Sequence, residues 1–411
     1  MKKIYLILFL VVMSVLVCLI SISSNNSNSS KYSDARFWDI QSIDTVKYSR
    51  DIAREKENDT SFDQTIDTQV RLISETGATH ISIGTPYDEE FIPFIKRWVA
   101  AARRYDLNVW FRGNFSGWER WFGYDSISRE EHIELTKNFI LSNSDLFEEG
   151  DIFTSCPECE NGGAGDPRRT RDIVGHRKFL IEEYKVSNDS FRKIGKNVRS
   201  NFFPMNGDVA NLIMDKETTK ALGGIVVVDH YVGNTQKLAD DIVNLAEKSG
   251  GKVVLGEFGA PIPDIHGDLN EDEQAAWVGS AFDQLHNLDE LVGVNYWAAY
   301  GSSTKLWEKD DTPRKVVEVI TNYYSPKSIS AVVTNEIGQP IPGAIVTAES
   351  RIAMTGSDGR FSLPVINSGP SLVVTADGYG NIVSQTEGKI VLKKNSENFF
   401  YRVRKIIHNI I

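Results

Sequence analysis

Two stretches carry residues placed to do chemistry. In Lys252-Val-Val-Leu-Gly-Glu-Phe-Gly-Ala-Pro261 an apolar run, Val253 to Leu255, has the character of a fully buried strand. It ends in Gly256, one carboxylate, Glu257, and then Phe258 and Gly259. A lone acid at the mouth of a buried strand is costly to desolvate, so it needs a partner or a task. Earlier in the chain, Asp151-Ile-Phe-Thr-Ser-Cys-Pro-Glu-Cys-Glu-Asn161 offers Glu158 and Glu160 in the same setting. Two carboxylates at the ends of two separate strands suit hydrolysis of a glycosidic bond: one protonates the leaving oxygen, and the other attacks the anomeric carbon or activates water.

The elements that must position them alternate. Candidate strands are Phe37–Ile43, Thr79–Ile83, Asn108–Phe111, Asp151–Ser155, Val198–Phe203, Gly224–Asp229, Lys252–Gly256 and Gly293–Trp297. Between them lie helical patterns: Glu89–Tyr105, Ser128–Phe147, Thr170–Ile194, Gly207–Leu222, Thr235–Lys248, Asn270–Leu288 and Thr312–Tyr324. Ser128 and Glu131 are spaced as a capping box. This count and alternation predict an α/β fold, a (β/α)8 TIM barrel over 35–325. A doubly wound sheet is the second reading, weakened because no Gly-x-Gly-x-x-Gly follows the first strand.

In a barrel the chemistry sits at the C-terminal strand ends. Those ends offer Trp38 and Asp39; Ser82 to Tyr87; Arg112 and Asn114; Glu158 and Glu160; Asn201; Asp229, His230 and Tyr231; Glu257; and Asn295, Trp297 and Tyr300. Acids, amides, an arginine and aromatic rings are the vocabulary of sugar recognition. Trp38, Arg112, Asn114, Asn201, His230, Tyr231 and Trp297 are therefore candidate substrate-binding residues. Arg112 is also a candidate to keep Glu257 ionised, because a nearby cation favours the charged form. Trp118 and Trp121 read either as outer sugar subsites or as packing.

Gly-Glu-Phe-Gly at the seventh strand resembles the nucleophile segment of clan A glycoside hydrolases, the superfamily of cellulases and β-mannanases. The resemblance spans roughly Phe37–Tyr324. It implies a barrel with the acid/base at the end of strand four and the nucleophile, matching Glu257, at the end of strand seven. The acid/base segment, Asn-Glu-Pro in that family, stands here as Pro157-Glu158-Cys159-Glu160, so Glu158 or Glu160 takes the part. His230-Tyr231 resembles the family's tyrosine segment that positions the nucleophile, and Trp297 its platform for the sugar at the cleavage point. The implied chemistry is retaining hydrolysis of a β-linked polysaccharide or oligosaccharide without a cofactor. A non-catalytic glycan-binding barrel and a transglycosidase acting on cell-envelope polysaccharide are the alternatives.

The remaining features set limits. A net charge of −11 argues against a nucleic-acid partner. Three cysteines make no disulfide framework, and the histidines show no metal-binding spacing. Cys156 and Cys159 read as a loop-stiffening disulfide or as two thiols. Lys2 and Lys3 precede an apolar run from Ile4 to Ile22, so 1–24 is expected to be a signal-anchor or a cleaved signal peptide. Residues 25–34 form a Ser/Asn linker. The expectation is a barrel outside the cytoplasm, tethered to the cell membrane or secreted. Residues 327–394 show strand alternation and turns without helices, a small β-sandwich. There, Gly338-Gln-Pro-Ile-Pro-Gly-Ala-Ile-Val346 and Thr355-Gly-Ser-Asp-Gly-Arg-Phe-Ser-Leu363 resemble the carboxypeptidase regulatory-like domain. The tail, 395–411, is expected to be amphipathic or disordered.

Overall fold

The computed structural model describes residues 36–348, 351–366, 369–384 and 388–395. The N-terminal apolar run, the Ser/Asn linker and nearly all of the C-terminal tail lie outside the described residues. Among the described residues no helix is long and apolar enough to cross a membrane. The chain forms two compact units, one of residues 36–327 with 364–369 and one from the rest of the described C-terminal part.

The first unit is a TIM-barrel-like α/β fold. Its strands are β1 (Ile40–Asp44), β2 (His80–Ile83), β3 (Asn108–Phe111), β4 (Ile152–Phe153), β5 (Pro204–Asn206), β6 (Ile225–Asp229), β7 (Lys252–Phe258) and β8 (Leu291–Tyr296). They pair in parallel in the order β4-β3-β2-β1-β8-β7-β6-β5. The ring closes through a parallel bridge between Ile152 and Arg199, where the Phe153 amide donates to the Arg199 carbonyl at 2.8 Å. The candidate fifth strand, Val198–Phe203, therefore contributes the closing bridge, and the strand itself runs later, over Pro204–Asn206. Pro204 lacks an amide hydrogen, so its position reads as a terminator in sequence, yet it pairs in register with Val227.

The long helices are those the periodicity predicts, with one addition and one break, and short helical turns join them. Arg129–Ser142 begins with the Ser128/Glu131 capping box, and Glu271–Leu285 with an Asn270/Glu273 box. Asp63–Glu75, between β1 and β2, was not among the candidate helices; it buries Ile66, Val70 and Ile73 against the barrel. Gly207–Leu222 divides into Gly207–Ile213 and Lys216–Ala221, because Asp215 caps a new start by accepting from the Thr218 amide.

The barrel interior has two floors. Ile40, Trp110, Ile152, Phe202, Val227 and Val254 fill the lower one. Further along the same strands inward positions become polar: Ser42, Arg112, Thr154 and Asp229, two residues on, and Asp44, four residues on from Ile40, are all buried. A polar floor at this level is tolerable only if its members satisfy one another.

The second unit is all-β. A four-stranded antiparallel sheet contains β10 (Ile345–Ala348), β11 (Arg351–Met354), β13 (Leu372–Thr375) and β14 (Ile382–Ser384). A three-stranded sheet contains β9 (Lys327–Asn335), β12 (Arg360–Val365) and β15 (Gly388–Leu392), with β9 and β15 parallel.

Candidate active site

Arg112, at the end of β3, organises the polar floor. Its guanidinium meets Asp44 from β1 at 2.9 Å, Asp229 from β6 at 3.3 Å and Glu257 from β7 at 3.2 Å. Asp44 also accepts from Ser82 Oγ at 2.9 Å and Asn295 Nδ2 at 3.3 Å. One cation thus faces three carboxylates from three strands. Burial and the charge of Glu257 push the Asp229 carboxyl well above the usual carboxylate range, against the pull of Arg112. Its Oδ1 has no hydrogen-bond partner among the described residues.

Glu257 reaches this cluster by a break in the strand. Val254 points into the barrel, so regular alternation would send Gly256 inward and Glu257 outward to the helices. The register shifts here: Val228 pairs with Leu255, but Asp229 pairs with Glu257. The extra residue is Gly256, and the bulge turns Glu257 inward. A Cβ on Gly256 would lie 2.5 Å from Asp229 Oδ1, so no side chain fits there. Glu257 is 19% exposed at the cleft and also accepts from Tyr231 Oη at 3.0 Å. Burial pushes it up to about 7, with Glu158 and Asp44 adding to the rise, while Arg112 and the Tyr231 hydroxyl pull it down.

Glu158 and Glu160 take different places. Glu158 lines the same cleft as Glu257, together with Asp44, Arg50, Glu119 and Trp121. Burial and the neighbouring Glu160 push its carboxyl up, against the pull of Arg112 and Arg50. Its backbone is left-handed, with φ 45°. Glu160 is buried, and its Oε1 is held by the Asn206 amide at 2.8 Å and the Asn206 side chain at 3.1 Å. Asn206 Nδ2 also reaches Glu158 Oε1 at 3.3 Å, so one amide at the end of β5 braces both acids. Cys156 and Cys159 are joined as a disulfide across this loop. Because a left-handed backbone disfavours every residue with a Cβ, Glu158→Gly is expected to be more stable than Glu158→Ala by about 1 kcal/mol. Chemical denaturation of the two variants checks this, and a less stable glycine variant would mean the loop relaxes when the carboxylate is removed.

The other sequence candidates divide. Arg112, Tyr231 and the two glutamates of the cleft come together as described. Trp297 follows β8, half-buried, with its ring edge-on to Tyr231 at 6.2 Å and Lys47 Nζ 5.5 Å from its centroid. Asn114 is buried behind the cleft, holding Glu119. Three candidates lie elsewhere. Trp38 precedes β1 rather than ending it and packs on Phe282 and Tyr323. Asn201 precedes β5 and donates to the Leu222 carbonyl. His230 turns away from the barrel axis to Asp241, 2.8 Å off, because successive residues point to opposite sides. Trp118 is buried, stacked on Phe179, while Trp121 lines the cleft. Asp44, Glu119 and Asn206 escaped the sequence reading. Setting the first strand's end at Ile43 and the fifth's at Phe203 hid Asp44 and Asn206.

No protein-family model matches the chain, and neither does any curated protein sequence. Solved structures do. A GH5_18 protein from Bifidobacterium longum subsp. longum, in complex with Manβ1-4GlcNAc, is similar with TM-score 0.50 and 15% identity, over 74% of this chain and 86% of that one. A GH5_18 protein from Streptomyces cattleya, in complex with the same disaccharide, is similar with TM-score 0.52 and 12% identity, over 72% and 85%. The barrel shares its fold with these GH5_18 proteins. At that identity the likeness concerns the fold, and the chemistry must be argued from the cleft itself.

Proposed function

We propose that the barrel is a retaining glycoside hydrolase acting on a β-linked glycan. The observation that carries this reading is that Glu257 and Glu158, from opposite sides of the barrel, line one cleft at the C-terminal strand ends. Their surroundings differ as the two roles require. Glu257 has a guanidinium and a phenol aimed at it, both of which favour its anion. Among the described residues no arginine or lysine lies within hydrogen-bonding distance of Glu158, which is held by the Asn206 amide, and its raised affinity for a proton suits an acid. Glu257 attacks the anomeric carbon as Glu158 protonates the departing oxygen. Glu158, now ionised, then takes a proton from the water that releases the sugar from Glu257. Trp297 packs against Tyr231, whose hydroxyl holds the nucleophile. The fold likeness to proteins solved with Manβ1-4GlcNAc makes β-mannosides the first substrates to try. The all-β unit reads as a spacing or weak-binding module.

Covalent labelling tests the reading. The 2,4-dinitrophenyl 2-deoxy-2-fluoro-β-glycosides of mannose and glucose are expected to label the wild type on the peptide bearing Glu257, and to leave Glu257→Gln unlabelled. Label found on another carboxylate, or in the glutamine variant, would remove Glu257 as nucleophile.

A further inference from the structure

Glu119 is a further cleft carboxyl, with no part in the scheme above. It follows β3 on the short helix Ser116–Glu119, and it lines the cleft beside Glu158 and Trp121. Its Oε1 is held from behind by Asn114 Nδ2 at 2.5 Å. The orientation of Asn114 is settled by its neighbours. Its oxygen accepts from the Phe115 amide at 2.8 Å, which can only donate, so the NH2 must face Glu119. The same oxygen lies 2.9 Å from His132 Nε2, and His132 Nδ1 lies 2.7 Å from Glu183 Oε1, with Asn114, His132 and Glu183 all fully buried. A chain Glu183–His132–Asn114–Glu119 therefore runs from between two helices to the cleft wall. The other oxygen of Glu119 takes no hydrogen bond from any described residue. That oxygen belongs to the cleft wall, where a ligand can reach it.

The cations at this wall are committed elsewhere. Arg112 serves Asp44, Asp229 and Glu257. Arg50 pairs with Asp51 at 2.8 Å and lies over the Trp121 ring at 4.9 Å, and Lys47 shares the same Asp51 at 2.9 Å. A substrate carboxylate would meet acids on this wall and displace an existing ion pair to find a cation.

We propose that Glu119 is a sugar-binding residue of the cleft: its free oxygen accepts a hydroxyl of a neutral sugar, and its charge disfavours a uronic acid at that position. The proposal rests on the glycan-cleaving reading of the same cleft and adds a substrate class to it. Trp121 lines the cleft beside Glu119, and the buried chain fixes the direction of its carboxyl.

The test uses the full chain with Glu257→Gln, which leaves sugars intact, at pH 8. Burial pushes the Glu119 carboxyl up to about 7, so it is mainly ionised there. Cellotetraose, mannotetraose, chitotetraose and tetraglucuronic acid are titrated against tryptophan fluorescence. At least one neutral tetrasaccharide is expected to bind, and the uronate to bind more weakly. Adding Glu119→Gln is expected to weaken the neutral sugar about tenfold and to strengthen the uronate, narrowing the ratio between them. Unchanged affinities, or equal losses for both classes, would overturn the proposal while leaving the hydrolase reading in place. If no neutral tetrasaccharide binds the Glu257→Gln protein, both readings fall. Glu119→Leu is the second variant should the glutamine variant not fold, with the same outcomes.

Discussion

In Glu158→Ala, kcat for a glycoside with a sugar aglycone is expected to fall about 10²–10⁴-fold. A 2,4-dinitrophenyl glycoside, whose leaving group needs no proton, should form the glycosyl-enzyme at a nearly unchanged rate. Release from Glu257 then becomes limiting, because no base activates water. Azide should restore turnover and give the β-glycosyl azide, since an anion needs no general base. The structure separates Glu158 from Glu160 on this point. Glu160 Oε1 is tied to the backbone and side chain of Asn206, and its Oε2 is buried without a partner, so Glu160→Gln should change stability rather than leaving-group dependence. Equal losses on the two substrates, or azide rescue of Glu160→Gln in place of Glu158→Ala, would move the acid/base role off Glu158.

The second large effect is on the frame. Arg112→Met removes the one guanidinium that Asp44, Asp229 and Glu257 share, and breaking a buried ion cluster from one side costs about 3–5 kcal/mol. The pH dependence follows from direction. Glu257 and Glu119 are raised from 4.5 to about 7 in the folded protein, so between those values the folded state binds more protons than the unfolded one. Stability therefore falls as pH rises through that window and is lowest above it. Without Arg112, whose charge pulls Glu257 down, the rise grows and the loss extends further upward. Urea denaturation at pH 5 and pH 8 should show the larger destabilisation at pH 8. A variant hurt equally at both values would mean that Arg112 acts by packing, against Trp110 for instance, rather than by charge.

The alternation of strand and helix was legible because both faces of a barrel strand are buried, leaving short apolar runs such as Val253–Leu255 between amphipathic helices. Glu257, Arg112 and Tyr231 were legible for the same reason: a polar residue directly after such a run has nowhere else to be. What failed was register. Trp38 was counted at a strand end although it opens the first candidate strand, the early placement of β5 brought Asn201 to the cleft, and ends set at Ile43 and Phe203 left Asp44 and Asn206 out of it. Pairing with a neighbour fixes those ends, and a strand's neighbour is not written in its own residues. His230 failed on parity, since Asp229 already occupies the inward position on that strand. The Glu183–His132–Asn114 chain joins residues far apart in sequence, each unremarkable alone, so nothing local announces it.

The bulge at Gly256 has an evolutionary corollary. A strand written with a period of two admits no half-steps, so an extra residue must be absorbed or every later side chain changes face. With the Gly256 codon deleted, regular alternation from Val254 would itself face the acid inward. With the glycine kept and the bulge ironed out, Phe258 would take the inward place and Glu257 would meet the helices. The glycine and the bulge are thus a matched pair, and a codon gained there is silent for the acid only while the backbone can hide it.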